Sequence, residues 1–173
     1  MFHRYNQRVV IDSSPSFHIV NATWHDLKPL HQLEKICFDV DAWPLLELLG
    51  VLTFPEVLRL KAVADENMVG FIAGDRLKGE VSGNTKVDTG WILTLGVLQD
   101  WRRKGIAEAL LAECEKQLHM PVIKLTVRRG NHPAIGLYEK MGYSQIDIWS
   151  KYYRNGEDGL VFEKRLEDAD ALA

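Results

Sequence analysis

The chain has 173 residues, 46% of them hydrophobic, enough for one well-buried core in a single domain. Lys and Arg number 21 against 24 Asp and Glu, a net charge of −3, which argues against a general nucleic-acid binder with its basic excess. No apolar run approaches the ~20 residues of a membrane span, and the N-terminus lacks a signal peptide's apolar core and cleavage site, so a soluble, cytoplasmic protein is expected.

Residues 1–14 are polar and irregular, and read as a loose arm. Phe17 to Ala22 reads as a short strand, and Thr23 is a plausible N-cap for a helix from Trp24 to about Phe38. Asp39 to Pro44 breaks that helix, and Pro44 opens a second, irregular one to about Leu58. Leu60–Asp65 and Met68–Gly74 flank Glu66-Asn67 as a hairpin, while Lys78 to Asp88, with two glycines and no apolar periodicity, reads as a loop.

The stretch from Trp91 to Leu111 organises the rest. Trp91–Leu98 is an apolar strand, and from Ile106 the apolar positions recur at helical spacing. Between them, Arg102, Arg103, Lys104 and Gly105 form a basic turn at a helix N-terminus. There, backbone N–H groups and the helix dipole suit a phosphate or pyrophosphate. Gly105 allows a ligand close to the backbone, and Ala107 keeps the first helical turn open. Another apolar strand, Val122–Val127, leads through a turn to a helix from Pro133 to about Met141 that Gly142 ends. Two last strands, about Tyr143–Lys151 and Leu160–Leu166, flank a turn holding Asn155-Gly156, and the tail from residue 167 is acidic. The order β-α-α-β-β-β-α-β-α-β-β implies an α/β fold, a mixed sheet of about seven strands with helices on both faces, over residues 15–166. Cys37 and Cys114 fall in helical patterns without metal-ligand spacing, so both read as buried thiols and no metal is expected.

The Arg-x-x-Gly-x-Ala turn after Leu95-Gly96-Val97 resembles the acyl-CoA motif of the GNAT acetyltransferase superfamily. The segment NHPAIGLYEKMGY is similar to that family's second signature through Asn131, Ala134, Tyr138, Gly142 and Tyr143. Tyr152 and Tyr153, with Glu157 and Asp158, resemble the N-terminal (α-amine) branch, whose bacterial members are the ribosomal-protein-alanine acetyltransferases. Cys37-Phe38-Asp39-Val40 with Trp43-Pro44 stands where that branch has its substrate loop.

The resemblance implies acetyl-CoA as cosubstrate and direct acetyl transfer to a primary amine, most naturally a protein or peptide N-terminus. The enzyme would act as a monomer or homodimer, without nucleic acid or membrane. It implies that the pyrophosphate rests on the amides of Arg103, Lys104, Gly105, Ile106, Ala107 and Glu108, with Arg102 adding positive charge at the cofactor. The pantetheine would lie along Leu95, Gly96 and Val97, with a Val97 amide polarising the thioester, and Asn131 would reach the cofactor unless it only caps its helix. Tyr138 takes the general-acid position, because the departing thiolate needs a proton. Phe38, Val40, Trp91, Tyr152 and Tyr153 would line the acceptor groove.

Both bases of the family are replaced. Thr126 stands at the position of the Glu or His, Trp91 at that of the Tyr, and neither accepts a proton at neutral pH. An α-amine tolerates this better than a lysine does. About a tenth of it is already neutral at pH 7, against well under a thousandth for a side chain near 10.4. A water held by Thr126, or the loop acids Asp39, Asp41 and Glu47, are the substitutes in view. Acetylation of a small amine and a non-catalytic acyl-CoA-binding module are the alternative readings.

Overall fold

The computed structural model describes residues 16–82 and 85–166, so the expected N-terminal arm and acidic tail lie outside the described residues. The strands are β1 His18–Asn21, β2 Leu58–Ala64, β3 Asn67–Ser82, β4 Thr85–Val97, β5 Val122–Arg128, β6 Ser144–Trp149 and β7 Gly159–Arg165. The helices are α1 Leu27–Phe38, α2 Leu45–Thr53, α3 Ile106–Leu118 and α4 His132–Lys140. Element order and type match the sequence reading, and the differences are local. Trp24–Asp26 is a 3-10 turn before α1, tied down by a capping box in which the Thr23 N–H donates to Asp26 Oδ2 at 2.8 Å. Helix α2 stops at Thr53 rather than near Leu58, because Pro55 cannot continue it.

The expected loop from Lys78 to Asp88 is corrected. β3 runs on to Ser82 and β4 begins at Thr85, paired through Glu80↔Val87, Val81↔Lys86 and Ser82↔Thr85. A register shift between Leu77 and Glu80 hides this in the sequence, since it breaks the alternation of apolar residues by which a strand is read.

The seven strands form one sheet in the order β1-β2-β3-β4-β5-β7-β6, and among these neighbours only β4 and β5 run parallel. α3 and α4 cover one face, where Ile106, Leu110, Leu111 and Leu118 pack with Ile72, Ile123, Leu125 and Phe162. α1 and α2 cover the other, with Leu30, Leu33, Leu48 and Leu52 against Phe71 and Ala73. Each fully buried side chain of this size contributes about 1.5–3 kcal/mol, so both layers are firmly held. Two irregularities in the middle prepare the site. Leu93 is an extra residue in β4, since Ala73 pairs with Thr94 and Gly74 with Ile92. β4 and β5 pair only from Thr89↔Val122 to Ile92↔Leu125; beyond that β4 follows β3 and β5 follows β7.

Candidate active site

Where β4 and β5 part, a cleft of about 950 Å³ opens. Leu95, Gly96 and Val97 of β4 line it, as do Ala134 and Tyr138 of α4 and Asn131 just before that helix. The turn Arg102, Arg103 and Gly105, with Ile106, Ala107 and Glu108 of α3, lines one part of it; Cys37, Phe38, Asp39 and Asp41 line another. Gly105 sits at φ +79°, the left-handed region where a side chain is strained, and an added Cβ would meet nothing within 4 Å. The first intrahelical bond of α3 runs from the Ala109 N–H to Gly105, which by helix geometry leaves the N–H groups of Ile106, Ala107 and Glu108 for a ligand. This cradle fits the diphosphate of acyl-CoA. Arg102 turns its Nε to the Val97 carbonyl at 3.0 Å, and Lys104 lies over the Trp101 ring, 4.7 Å from its centroid, and not on the cleft lining. The Ile106 side chain is in the core, so only its backbone faces the ligand path. Glu108 is paired with Lys140.

Asn131 caps α4, its Oδ1 accepting from the Ala134 N–H at 3.3 Å, while it also lines the cleft. Tyr138 packs its ring against Tyr143 and Phe162, and burial pushes its phenol up to about 12. It is therefore protonated throughout the neutral range. Cys37 is only half-buried and lines the cleft, contrary to its expected burial. The Arg102 guanidinium and the Val97 backbone N–H, the amide expected to polarise the thioester, favour its ionised form, but burial outweighs them and holds the thiol above its ordinary value. Cys114 is fully buried as expected.

The expected acceptor residues divide into three groups. Phe38 lines the cleft, but Val40 is 61% exposed and lies off its lining. Trp91 stacks on Trp149 with ring centroids 5.7 Å apart and planes 7° off parallel, and Tyr152 and Tyr153 continue that aromatic row. An added Cβ at Gly159 would stand 2.8 Å from Thr126 and 3.1 Å from Tyr152, so the glycine admits both. Thr126 Oγ1 is buried with no hydrogen-bond partner among the described residues. Of the substitute acids, Asp39 and Asp41 line the cleft, whereas Glu47 is exposed on α2.

The sequence profile of the acetyltransferase (GNAT) family matches residues 24–143. The chain belongs to the GNAT acetyltransferase family. It is 27% identical over 163 residues to an N-alpha-acetyltransferase of Saccharolobus solfataricus, covering 90% of this chain and 96% of that one. It is 30% identical over 154 residues to the N-terminal acetyltransferase A complex catalytic subunit NAA10 of Arabidopsis thaliana, covering 86% and 78%. Among solved structures, Arabidopsis thaliana NAA60 in complex with a bisubstrate analogue superposes with a TM-score of 0.79 at 23% identity, covering 89% of this chain and 100% of that one. The ribosomal-protein-S18-alanine N-acetyltransferase of Escherichia coli superposes at 0.75 and 21%, covering 89% and 96%. Within the GNAT fold of this chain, sequence reasoning missed Arg128 and Trp149. Arg128 ends β5 two residues after Thr126, on the same strand face, a position that strand alternation would have singled out.

Proposed function

We propose that this GNAT protein transfers the acetyl group of acetyl-CoA to the free α-amine of a protein or peptide N-terminus. The reaction runs within one domain spanning residues 15–166, in the cytoplasm, without nucleic acid or membrane, in a monomer or homodimer. The observation that carries the reading is the cleft between β4 and β5, with a helix N-terminus at its lining and a buried tyrosine in its wall. Its likeness over 96% and 78% of the length of two named α-amine acetyltransferases supports the choice of acceptor. Among the described residues no helix is long and apolar enough to cross a membrane, and no group of metal-binding side chains occurs.

Acetyl-CoA supplies the activated acyl group, and this chain's residues bind, orient and move protons. The amides of Ile106, Ala107 and Glu108 hold the diphosphate, and the Val97 N–H holds the developing oxyanion once it leaves the Cys37 thiol. The amine nitrogen attacks the thioester carbon, the C–N bond forms, and the C–S bond breaks with its electron pair passing to sulfur. Tyr138 donates its proton to that sulfur and is reprotonated from solvent. A phenol near 12 is a weak acid toward a thiol of ordinary pKa about 8.5, so the proton moves in step with C–S cleavage, not before it. The nitrogen gives up two protons and the sulfur gains one, so one proton is released per turnover. Losing the family bases at Trp91 and Thr126 is tolerated because about a tenth of an α-amine is already neutral at pH 7.

The test is CoA release from acetyl-CoA with three acceptors: peptides with free N-termini, the same peptides blocked at the N-terminus but carrying an internal lysine, and polyamines. Turnover on the free α-amine alone is expected. Turnover on polyamines alone, or acetyl-CoA binding with silence on every acceptor, overturns the proposal.

A further inference from the structure

Three segments distant in the chain meet at one guanidinium. Arg128 donates from Nε to Asp41 Oδ2 at 2.7 Å and from Nη2 to the same oxygen. Its Nη1 donates to Glu157 Oε2 at 2.5 Å and to Asn155 Oδ1 at 3.0 Å, and its guanidinium carbon lies 4.1 Å from the Tyr153 ring centroid. Glu157 Oε1 in turn accepts from the Gly130 N–H at 2.7 Å. The turn carrying Asp41 is held from its other side, where the Trp43 N–H donates to Glu34 Oε2 at 3.4 Å. One arginine thus ties the segment after α1 to the segment between β6 and β7.

The charges do not cancel. Two carboxylates face one guanidinium, leaving a single uncompensated negative charge. Both contacts to Asp41 fall on Oδ2, so Oδ1 has no hydrogen-bond partner among the described residues. Asp41 and Arg128 line the same cleft as Tyr138, and on the same face of β5 the Thr126 hydroxyl is buried and equally without a partner. An open carboxylate oxygen on the cleft lining, beside one surplus negative charge, matches a small cation with N–H donors.

We infer that Asp41, held in place by Arg128, binds the α-ammonium of the acceptor. This rests on the α-amine reading above and names the residue that selects for the charge. Asp41 touches the substrate; Arg128 is a positioning residue that fixes which oxygen of Asp41 stays open.

The probes are a peptide with N-terminal alanine and its α-hydroxy counterpart, identical except that a neutral hydroxyl replaces the amine. Both are titrated by calorimetry into the protein loaded with CoA, which cannot react. At pH 7 the amine is expected to bind about ten-fold or more tightly, the size of a hydrogen bond to a charged group. Asp41→Asn, which keeps the shape and an acceptor for Arg128, is expected to bring that ratio close to one and leave CoA affinity unchanged. An unchanged ratio overturns the assignment. The wild-type protein provides a second measurement that needs no variant to fold. The ratio is expected to fall as pH rises from 7 to 9.5 through the ammonium pKa of about 7.7–8.0, and a flat ratio overturns the assignment as well. The ionisable groups around Asp41 are Arg128 of β5, Tyr153 and Glu157 of the β6–β7 segment, Cys37 and Asp39 beside it, and Tyr138 and His132 of α4. Wild-type protein that turns over free α-amines but shows no charge selectivity refutes only the role of Asp41. Protein that turns over no α-amine refutes the functional reading itself.

Discussion

Glu34 of α1, only 1% exposed, accepts a hydrogen bond from the Thr94 hydroxyl of β4 at 3.0 Å. The pair joins the helix before the acceptor-side turn to the strand that carries the expected pantetheine edge, and Glu34 Oε2 also takes the Trp43 N–H. Burial pushes its carboxyl above the ordinary 4.5, against the two hydrogen bonds that lower it. A carboxyl whose folded pKa is raised contributes stability below its unfolded pKa and loses it as pH rises through the folded value. Stability measured by urea unfolding is therefore expected to fall with rising pH in a window that begins near 4.5 and extends above it. Glu34→Gln, which cannot ionise, removes that slope. Glu34→Ala leaves the Thr94 hydroxyl unpaired in a cavity and costs about 2–4 kcal/mol.

Tyr138→Phe keeps the ring contacts with Tyr143 and Phe162 and deletes only the hydroxyl proposed as the acid. The expected result is a fall in kcat of about 10²–10⁴ with the KM for acetyl-CoA nearly unchanged. Because burial pushes the phenol up to about 12, the wild-type pH–rate profile shows no alkaline limb from this residue below about pH 10. A Phe variant with wild-type kcat removes Tyr138 from the reaction.

Gly105→Ala separates backbone shape from space. No atom obstructs the new Cβ, so any effect arises from the φ of +79°, about 1–2 kcal/mol of strain, and from a methyl group projecting where the diphosphate is expected. Acetyl-CoA affinity is expected to fall about ten-fold or more, while the strain alone lowers Tm by about 2–8 °C. Equal affinity in the variant places the diphosphate elsewhere.

Cys37 and Cys114 are expected to differ toward iodoacetamide. Cys114 is buried, with its thiol pushed up to about 12, and stays unmodified in the folded protein. Cys37 lines the cleft and labels slowly, because burial holds its thiol above the ordinary value. Saturating acetyl-CoA is expected to slow Cys37 labelling further by drawing the Val97 N–H to the thioester and covering the sulfur. Labelling indifferent to acetyl-CoA argues against Val97 as the oxyanion donor.

Local signals along the chain were enough for the seven strands, the four helices and the basic turn between β4 and α3. The Arg102–Gly105 turn was readable because strand, glycine and helix start are all near-neighbour patterns. The expectation that Trp91 and Thr126 replace the family bases likewise needs only residue identity at positions matched by resemblance. The Leu77–Glu80 register shift was not legible, because it breaks the period by which a strand is recognised. Nor was the acceptor side. Asp41 and Arg128 are 87 positions apart, Arg128 and Glu157 are 29 apart, and Trp91 reaches Trp149 across the sheet. Long-range ion pairs and ring stacks leave no periodic trace, and which carboxylate oxygen stays open depends on how three segments pack around one guanidinium. The family is thus legible in local patterns of this sequence, while the meeting of Asp41, Arg128 and Glu157 was decided only when the sheet brought β5 between two turns.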